Sequence, residues 1–179
     1  MAGWKDGKIV IGPHILGRFV INPREAVDAF YGKKKPRTKE MALGEDIHVK
    51  LGYTNEQLFE REMEVLGETV VIRGIPDYID EDRIEELKTV GGKYVSDRYL
   101  DGAEVQMLAY LWLTDRPNGE VVVVRRDTLE EVNRFHVFRD DERLFRIVEG
   151  FVREIKNREK AANLLERFLK APAPEQNHT

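Results

Sequence analysis

The sequence has 179 residues, with a formal net charge of −4 and a pI near 5.7. This nearly balanced charge excludes a globally basic nucleic-acid-binding protein, so any nucleic-acid partner must be bound by a local positive patch. The chain contains no cysteine, which excludes disulfides, thiolate metal sites and a cysteine nucleophile.

The apolar segments of the sequence are too short for a membrane protein. The longest, residues 105–113, falls well below the roughly 20 residues that span a bilayer. The first residues lack the basic and apolar regions of a signal peptide. We therefore expect a cytoplasmic protein with no membrane partner.

The chain is expected to begin with an extended apolar segment over residues 7–21. Asn22 can cap a helix over residues 22–32, and Pro23 suits the first helical position. A basic, proline-interrupted connector, KKKPRTK, follows at residues 33–39.

Two helices and two strands are predicted next. Apolar residues at every fourth position indicate a helix over residues 39–51, with the stripe Leu43, Ile47 and Leu51. Thr54 and Gln57 form a capping-box pattern, which predicts a second helix ending near Leu66. Strands are expected at residues 68–80 and 83–90, joined by an acidic turn.

The second half of the chain alternates between helical and strand patterns. Its predicted elements are a helix over 102–114 capped at Asp101, a buried strand over 120–126, a short helix over 127–133, a strand over 135–138 and a long helix over 140–170. These elements predict one α/β domain over residues 1–170. The polar tail, residues 171–179, is expected to be disordered.

Two carboxylates face each other when the predicted strands form a hairpin. With residues 80–83 as the loop, Asp77 lies opposite Glu86, and like charges at such positions destabilise a sheet. One interpretation is a solvated salt-bridge cluster with Lys88 and Arg83. The other is a divalent cation between the carboxylates, since oxygen ligands suit Mg²⁺ or Mn²⁺.

The E-x-K pattern gives the second interpretation its chemistry. Strand alternation places Glu86 and Lys88 on one face, with Leu87 turned toward the core. Carboxylates can hold a cation that acidifies water and neutralises phosphoryl charge. A lysine beside them can stabilise the transition state of phosphodiester hydrolysis.

Three further polar residues lie on predicted helices. His48 follows Ile47 at the edge of the apolar stripe, where it is either a core histidine or a metal ligand. Gln106 and Tyr110 are four residues apart and share one helix face. By themselves they form a polar pair beside a core stripe.

Taken together, these residues resemble the RecB-type branch of the PD-(D/E)xK nucleases, which includes the CRISPR-associated RecB-like exonucleases. The resemblance covers about residues 40–114. The four motifs occur in the expected order, namely G-x-x-x-H at 44–48, G-x-x-D at 74–77, E-x-K at 86–88 and Q-x-x-x-Y at 106–110.

The resemblance implies a restriction-endonuclease-like core, with a central mixed sheet flanked by helices. It also implies that the metal ligands are His48, Asp77, Glu86 and the Leu87 carbonyl, that Mg²⁺ or Mn²⁺ is the cofactor, and that the catalytic residues are Asp77, Glu86, Lys88, Gln106 and Tyr110. Lys88 would be the catalytic lysine, oriented by Gln106.

The sequence departs from many members of that branch in one respect. They hold an iron–sulfur cluster through four cysteines, and this chain has none, so no cluster is expected. A P-loop is also absent, so the chain is not expected to unwind DNA itself. A helicase or recombination partner and a homo-oligomer formed through the long C-terminal helix are the protein partners considered.

DNA contact is expected mainly at the basic connector, whose cations are Lys33, Lys34, Lys35 and Arg37. The alternative for this segment is a solvated loop. The arginines near residues 125–146 can line a groove or form a salt-bridged surface. Tyr94 and Tyr99 lie in a predicted loop that either packs normally or stacks on an unpaired strand.

The sequence therefore predicts a Mg²⁺- or Mn²⁺-dependent deoxyribonuclease with low sequence specificity. We expect an exonuclease acting on DNA ends, with endonuclease activity also considered. The alternative is a non-catalytic module of the same fold that binds DNA ends or docks a partner.

Overall fold

The structure, a computed structural model, is described for residues 2–33, 36, 38–92 and 94–170, and for side chains as far as residue 166. The predicted tail and the connector residues Lys34, Lys35 and Arg37 lie outside these ranges. The elements are β1 (Gly3–Lys5), β2 (Lys8–Ile11), α1 (Pro13–Ile21), α2 (Pro23–Phe30), α3 (Lys39–Lys50), β3 (Phe59–Val65), β4 (Glu68–Gly74), β5 (Tyr78–Ile79), β6 (Ile84–Val90), α4 (Asp97–Thr114), β7 (Asn118–Arg125), β8 (Glu131–Phe138) and α5 (Asp141–Lys170).

The strands form two mixed sheets of four strands each, in the orders β1-β2-β4-β3 and β5-β6-β7-β8. The pairs β2–β4 and β6–β7 are parallel, and the other pairs are antiparallel. The predicted α/β class with helices flanking mixed sheet is thus confirmed, although the strands are divided between two sheets. The chain leaves the first sheet at Gly74 and enters the second at Tyr78.

Helix α4 is the centre of the hydrophobic core. It is buried without interruption from Val105 to Leu113, as expected for a helix that is apolar on nearly all sides. It contacts strands of both sheets as well as α1 and α5. Residues on α4 are therefore held between the two sheets.

Helices α1 and α4 approach each other closely at two glycines. A Cβ atom on Gly17 would overlap the carbonyl oxygen of Gly102, and a Cβ on Gly102 would overlap Ile21. Residues 13–21 were expected to be extended, and this prediction is wrong. Pro13 stands at the first turn of α1, and packing against α4 decides the conformation of an apolar segment that suits either structure.

The predicted helix ending near Leu66 is also wrong, because residues 59–65 form β3. This strand pairs with β4 from Phe59–Gly74 to Val65–Glu68. Leu66 and Gly67 have φ values of 52° and 80°, which suits the two-residue turn of a tight hairpin. Strand pairing outweighs the local capping pattern.

A similar correction applies to residues 127–133, which were expected to form a short helix. Glu131–Phe138 is one strand, β8, paired with β7 along its length.

Helix α4 begins at the Ser96 cap, five residues before Asp101. In α3 the stripe is not buried as a whole, since Leu43 and Leu51 are exposed and Ile47 alone of the three is in the core.

Several elements agree with the sequence prediction. The Asn22 side chain accepts a hydrogen bond from the Glu25 amide at the start of α2, and α3, β7 and α5 lie close to their predicted ranges. The four valines of β7 are buried. Within the described ranges, none of the helices is long and apolar enough to cross a membrane.

Replacing Gly17 with alanine is expected to destabilise the fold by about 1–3 kcal/mol, because the new methyl group overpacks the α1–α4 contact. Urea unfolding measures this change. Gly150→Ala is the matched control, since its Cβ would lie 3.4 Å from Phe19 and alanine favours α5. An unfolding midpoint for Gly17→Ala equal to that of the wild type would contradict the close approach.

Candidate active site

A short hairpin, formed by β5 and β6, carries the predicted E-x-K residues. Its ladder contains the pairs Tyr78–Glu85 and Ile79–Ile84, as predicted. The Asp80 carboxylate accepts hydrogen bonds from the Asp82 and Arg83 amides, each at 2.9 Å. These bonds close the turn and fix which face of β6 each side chain occupies.

Asp77 lies at the junction between the two sheets, just before the ladder begins. Its Oδ2 accepts a hydrogen bond of 2.8 Å from the Leu87 amide. The junction is held from two sides, because the Tyr110 hydroxyl donates to the Ile75 carbonyl at 2.8 Å and the Asn55 amide donates to the Pro76 carbonyl at 2.9 Å. The carboxylate is thus fixed by backbone contacts.

His48, in the last turn of α3, contacts Asp77 directly. Its Nδ1 lies 2.7 Å from the Gly44 carbonyl and its Nε2 lies 3.2 Å from Asp77 Oδ2. A carbonyl only accepts, so Nδ1 carries a proton, and Nε2 needs a second proton or a cation to face the carboxylate. The hydrogen bond with Asp77 raises the pKa of His48 to about 9.

Glu86, Lys88 and Gln106 form a buried network between β6 and α4. Lys88 Nζ donates to Glu86 Oε1 at 2.7 Å and to Gln106 Oε1 at 2.6 Å. The Gln106 amide donates to the same Glu86 oxygen at 2.6 Å. Gln106 therefore orients both members of the ion pair.

Burial dominates the electrostatics of this network. Glu86 is 2% exposed, and burial together with the charge of Asp77 raises the pKa of its carboxyl group, against the effect of Lys88. Burial lowers the pKa of Lys88, but the neighbouring carboxylates of Glu86 and Asp77 outweigh this effect and raise it overall. Lys88 therefore stays charged at neutral pH.

One oxygen of Glu86 has no protein partner. Within the described part of the chain, no donor binds Glu86 Oε2, although the atom is fully buried. A buried acceptor without a partner costs about 1–3 kcal/mol. Such an atom has the chemistry of a cation ligand, as do the carboxylate of Asp77 and the lone pair of deprotonated His48 Nε2.

The side chains of His48, Asp77 and Glu86 are not arranged as a preformed metal-binding site. Among the residues described, no three histidine or carboxylate side chains are grouped closely enough to hold a metal ion. His48 and Asp77 contact each other, whereas Glu86 Oε1 contacts Lys88 and Gln106. The assignment of these ligands and of the Leu87 carbonyl stays a prediction.

The segment after α3 fixes the site but was missed in the sequence. The Tyr53 hydroxyl donates to the buried Glu85 at 2.7 Å. The backbone N–H of Tyr53 donates to the His48 carbonyl, and the backbone N–H of Asn55 donates to the Asp77 carbonyl. This segment thus joins α3, the junction and β6. A capping-box pattern at Thr54 and Gln57 hid it, and its partners are distant in sequence.

Of the predicted DNA-binding residues, only Lys33 falls within the described ranges. Lys33 forms an ion pair with Asp28 at 3.2 Å and lines a cavity between α2 and α5. Lys34, Lys35 and Arg37 lie outside the described residues. The later arginines Arg139, Arg143 and Arg146 form ion pairs, as expected of a salt-bridged surface.

Stability of the metal-free protein is expected to fall as the pH rises toward 9. The folded-state pKa of His48, about 9, lies above the unfolded value near 6.5. Its contribution is therefore complete below pH 6.5 and is lost as the pH passes about 9. Unfolding by urea in EDTA across pH 6–10 measures this effect, and His48→Gln should remove it. An equal slope in both proteins would contradict the His48–Asp77 contact.

Tyr53→Phe is expected to destabilise the protein by about 1–3 kcal/mol, because a buried Glu85 oxygen loses its donor. Tyr78→Phe is the matched control, since the Tyr78 hydroxyl binds Asp80 at an exposed position. Urea unfolding compares the two variants. Equal stability of both would show that the Tyr53–Glu85 bond does not join α3 to β6.

No protein-family model matches the sequence, and a search of curated proteins finds no similar sequence. Solved structures do match. The crystal structure of SSO0001 aligns with a TM-score of 0.59 and 21% identity, covering 83% of this chain and 77% of that chain.

The alkaline exonuclease LHK-Exo of Laribacter hongkongensis aligns with a TM-score of 0.53 and 18% identity, covering 88% of this chain and 95% of that chain. Its complex with dAMP aligns with a TM-score of 0.51 and 17% identity over the same shares. At these identities the likeness concerns the fold. The chain therefore shares its fold with these solved structures.

Proposed function

We propose that the protein is a divalent-metal-dependent deoxyribonuclease that hydrolyses phosphodiester bonds at DNA ends. One observation carries the proposal. A buried carboxylate, Glu86, has one oxygen fixed by Lys88 and Gln106 and the other without a partner. Asp77, just before the hairpin, and His48, on α3, are near enough to shift the pKa of this carboxylate, Asp77 raising it and His48 lowering it.

Lys88 has the geometry of a charge-stabilising group. An ammonium group has three N–H donors, and two of them bind Glu86 and Gln106. The third is available to an oxygen of the scissile phosphate. Because the ammonium is held before substrate arrives, it stabilises developing negative charge without reorganisation.

The metal ligands would be His48 Nε2, Asp77 and Glu86. A Mg²⁺ or Mn²⁺ ion bound by them supplies phosphate neutralisation and a more acidic water. His48 must be neutral to bind a cation, and the Gly44 carbonyl already holds its proton at Nδ1. An imidazole ligand favours Mn²⁺ over Mg²⁺.

The likeness to LHK-Exo is the support for proposing an exonuclease. LHK-Exo, whose length the alignment covers almost fully, is an alkaline exonuclease, and its structure has been solved with dAMP. Contacts with the phosphate backbone carry no sequence information, so low sequence specificity is proposed. Endonuclease activity is the second mode that the assay must separate.

The alternative is a non-catalytic module that binds DNA ends or docks a partner. The His48–Asp77 contact of 3.2 Å favours it, because these side chains satisfy each other without a cation. The retained Glu86–Lys88–Gln106 network argues for the enzyme. Binding of DNA without cleavage in Mn²⁺ would support the module.

Asp77→Asn, Glu86→Gln and Lys88→Met are each expected to lower cleavage by at least about 100-fold, since each removes a charge that acts on the reacting phosphate. The assay follows end-labelled linear duplex, its single strand and a closed circular duplex in EDTA, Mg²⁺ and Mn²⁺. Mononucleotide release from linear DNA alone would identify an exonuclease. Cleavage of the circle would identify an endonuclease.

Glu104→Gln is the matched control for these variants. It makes the same change on α4, two residues from Gln106, where Glu104 pairs with Arg143 at 2.7 Å. Its activity should equal that of the wild type. Full activity of Glu86→Gln, or equal loss in Glu104→Gln, would contradict the proposed site.

A further inference from the structure

A groove of about 900 Å³ adjoins the candidate site. His48 and Lys88 are among its lining residues, so a ligand in the groove can reach the site. Its lining residues come from α1, α3, the end of β6 and the segment after it, the first turn of α4, and the residue after β7. The groove is separate from the cavity that Lys33 lines.

The groove has a positively charged side. Arg18 projects from α1 and Arg126 follows β7, and both line the groove together with Lys88. The backbone at Gly91 lets Arg126 lie close, because a Cβ at that position would overlap the guanidinium group. Two carboxylates, Glu40 and Glu45, line the α3 side. A polyanion is therefore directed toward the side of α1 and β7.

An exposed aromatic ring lies in the same groove. Tyr94 is 91% exposed, whereas the neighbouring Tyr99 is partly buried and donates its hydroxyl to the Thr89 carbonyl at 3.3 Å. The Tyr94 ring thus contributes little to folding. Aromatic rings beside basic side chains are the usual platform for unpaired bases.

The size of the groove limits what it can hold. Pockets of roughly 300–1,000 Å³ bury one drug-sized ligand, which is comparable in size to about one or two nucleotides of a single strand. A duplex is much wider, and its bases are stacked on each other and cannot stack on Tyr94. The groove therefore suits one unpaired strand.

We propose that this groove binds the unpaired DNA strand next to the scissile phosphate, with phosphates along Arg18 and Arg126 and a base stacked on Tyr94. The inference rests on the proposed function for the identity of the ligand as DNA. It assigns strand binding to residues other than the predicted basic connector.

The test measures binding of a fluorescent oligo(dT) single strand and a blunt duplex of equal length by anisotropy in EDTA. Tyr94→Ala should weaken single-strand binding about 5- to 100-fold and leave duplex binding unchanged. Tyr94→Phe keeps the ring and should bind as the wild type does. Arg18→Gln and Arg126→Gln should each reduce the salt slope of log Kd by about 0.7.

Arg153→Gln is the charge-matched control, since Arg153 lies on α5 and pairs with Glu149 at 2.6 Å. Its salt slope should be that of the wild type. An equal reduction of the salt slope in Arg153→Gln, or an unchanged single-strand affinity in Tyr94→Ala, would overturn the proposal that the groove binds a single strand. Thermal unfolding confirms that each variant is folded.

The binding assay contains no metal, so it separates this inference from the proposed function. If the Tyr94 and arginine variants lose single-strand binding and the wild type cleaves no DNA in Mn²⁺, single-strand binding in the groove is supported and the proposed nuclease activity is rejected. If the wild type cleaves DNA only with metal and these variants bind the single strand unchanged, single-strand binding in the groove is rejected and the proposed nuclease activity is supported.

Discussion

The burial of Glu86 is the constraint on which the rest of the structure depends. A carboxylate this far from water is tolerated only if charged and polar groups replace its hydration. Lys88 comes from the same strand, but Gln106 comes from α4 and must reach the sheet at the right level. Gln106 supplies the buried amide within the buried stretch Val105–Leu113 of α4. The close α1–α4 contact in turn keeps α4 in place.

The two sheets meet where the candidate site needs them. Asp77 belongs to neither ladder and is held by Leu87, by the Tyr110 contact to Ile75 and by Asn55. Gly74 permits this arrangement, since a Cβ there would lie 2.8 Å from Pro13. The site is thus built from the ends and junctions of rigid elements, and its residues gain their positions from backbone contacts.

The sequence predicted the parts of the site that depend on local periodicity. Alternation along β6 and the acidic turn were sufficient to place Glu86 and Lys88 on one face. The contact of Gln106 with Lys88 followed only from the family resemblance, because 18 residues separate them. Tyr53 was missed because its partner, Glu85, is 32 residues away. Strand β3 and the first residues of β8, 131–133, were missed for the same physical reason, since hydrogen bonds to a neighbouring strand outweighed local helical patterns.

The tandem Glu85–Glu86 has a consequence for the fidelity of folding. Side chains alternate along a strand, so a slip of one residue exchanges its two faces. If β6 slipped by one residue toward its C-terminal end, Glu85 would occupy the position of Glu86 and Leu87 that of Lys88. The site would keep a carboxylate and lose the lysine. The parallel register with β7, in which Glu86 pairs with Val121, opposes this slip. A misregistered β6 would therefore keep a carboxylate near Gln106 and lose the ammonium group that Gln106 binds in the native chain.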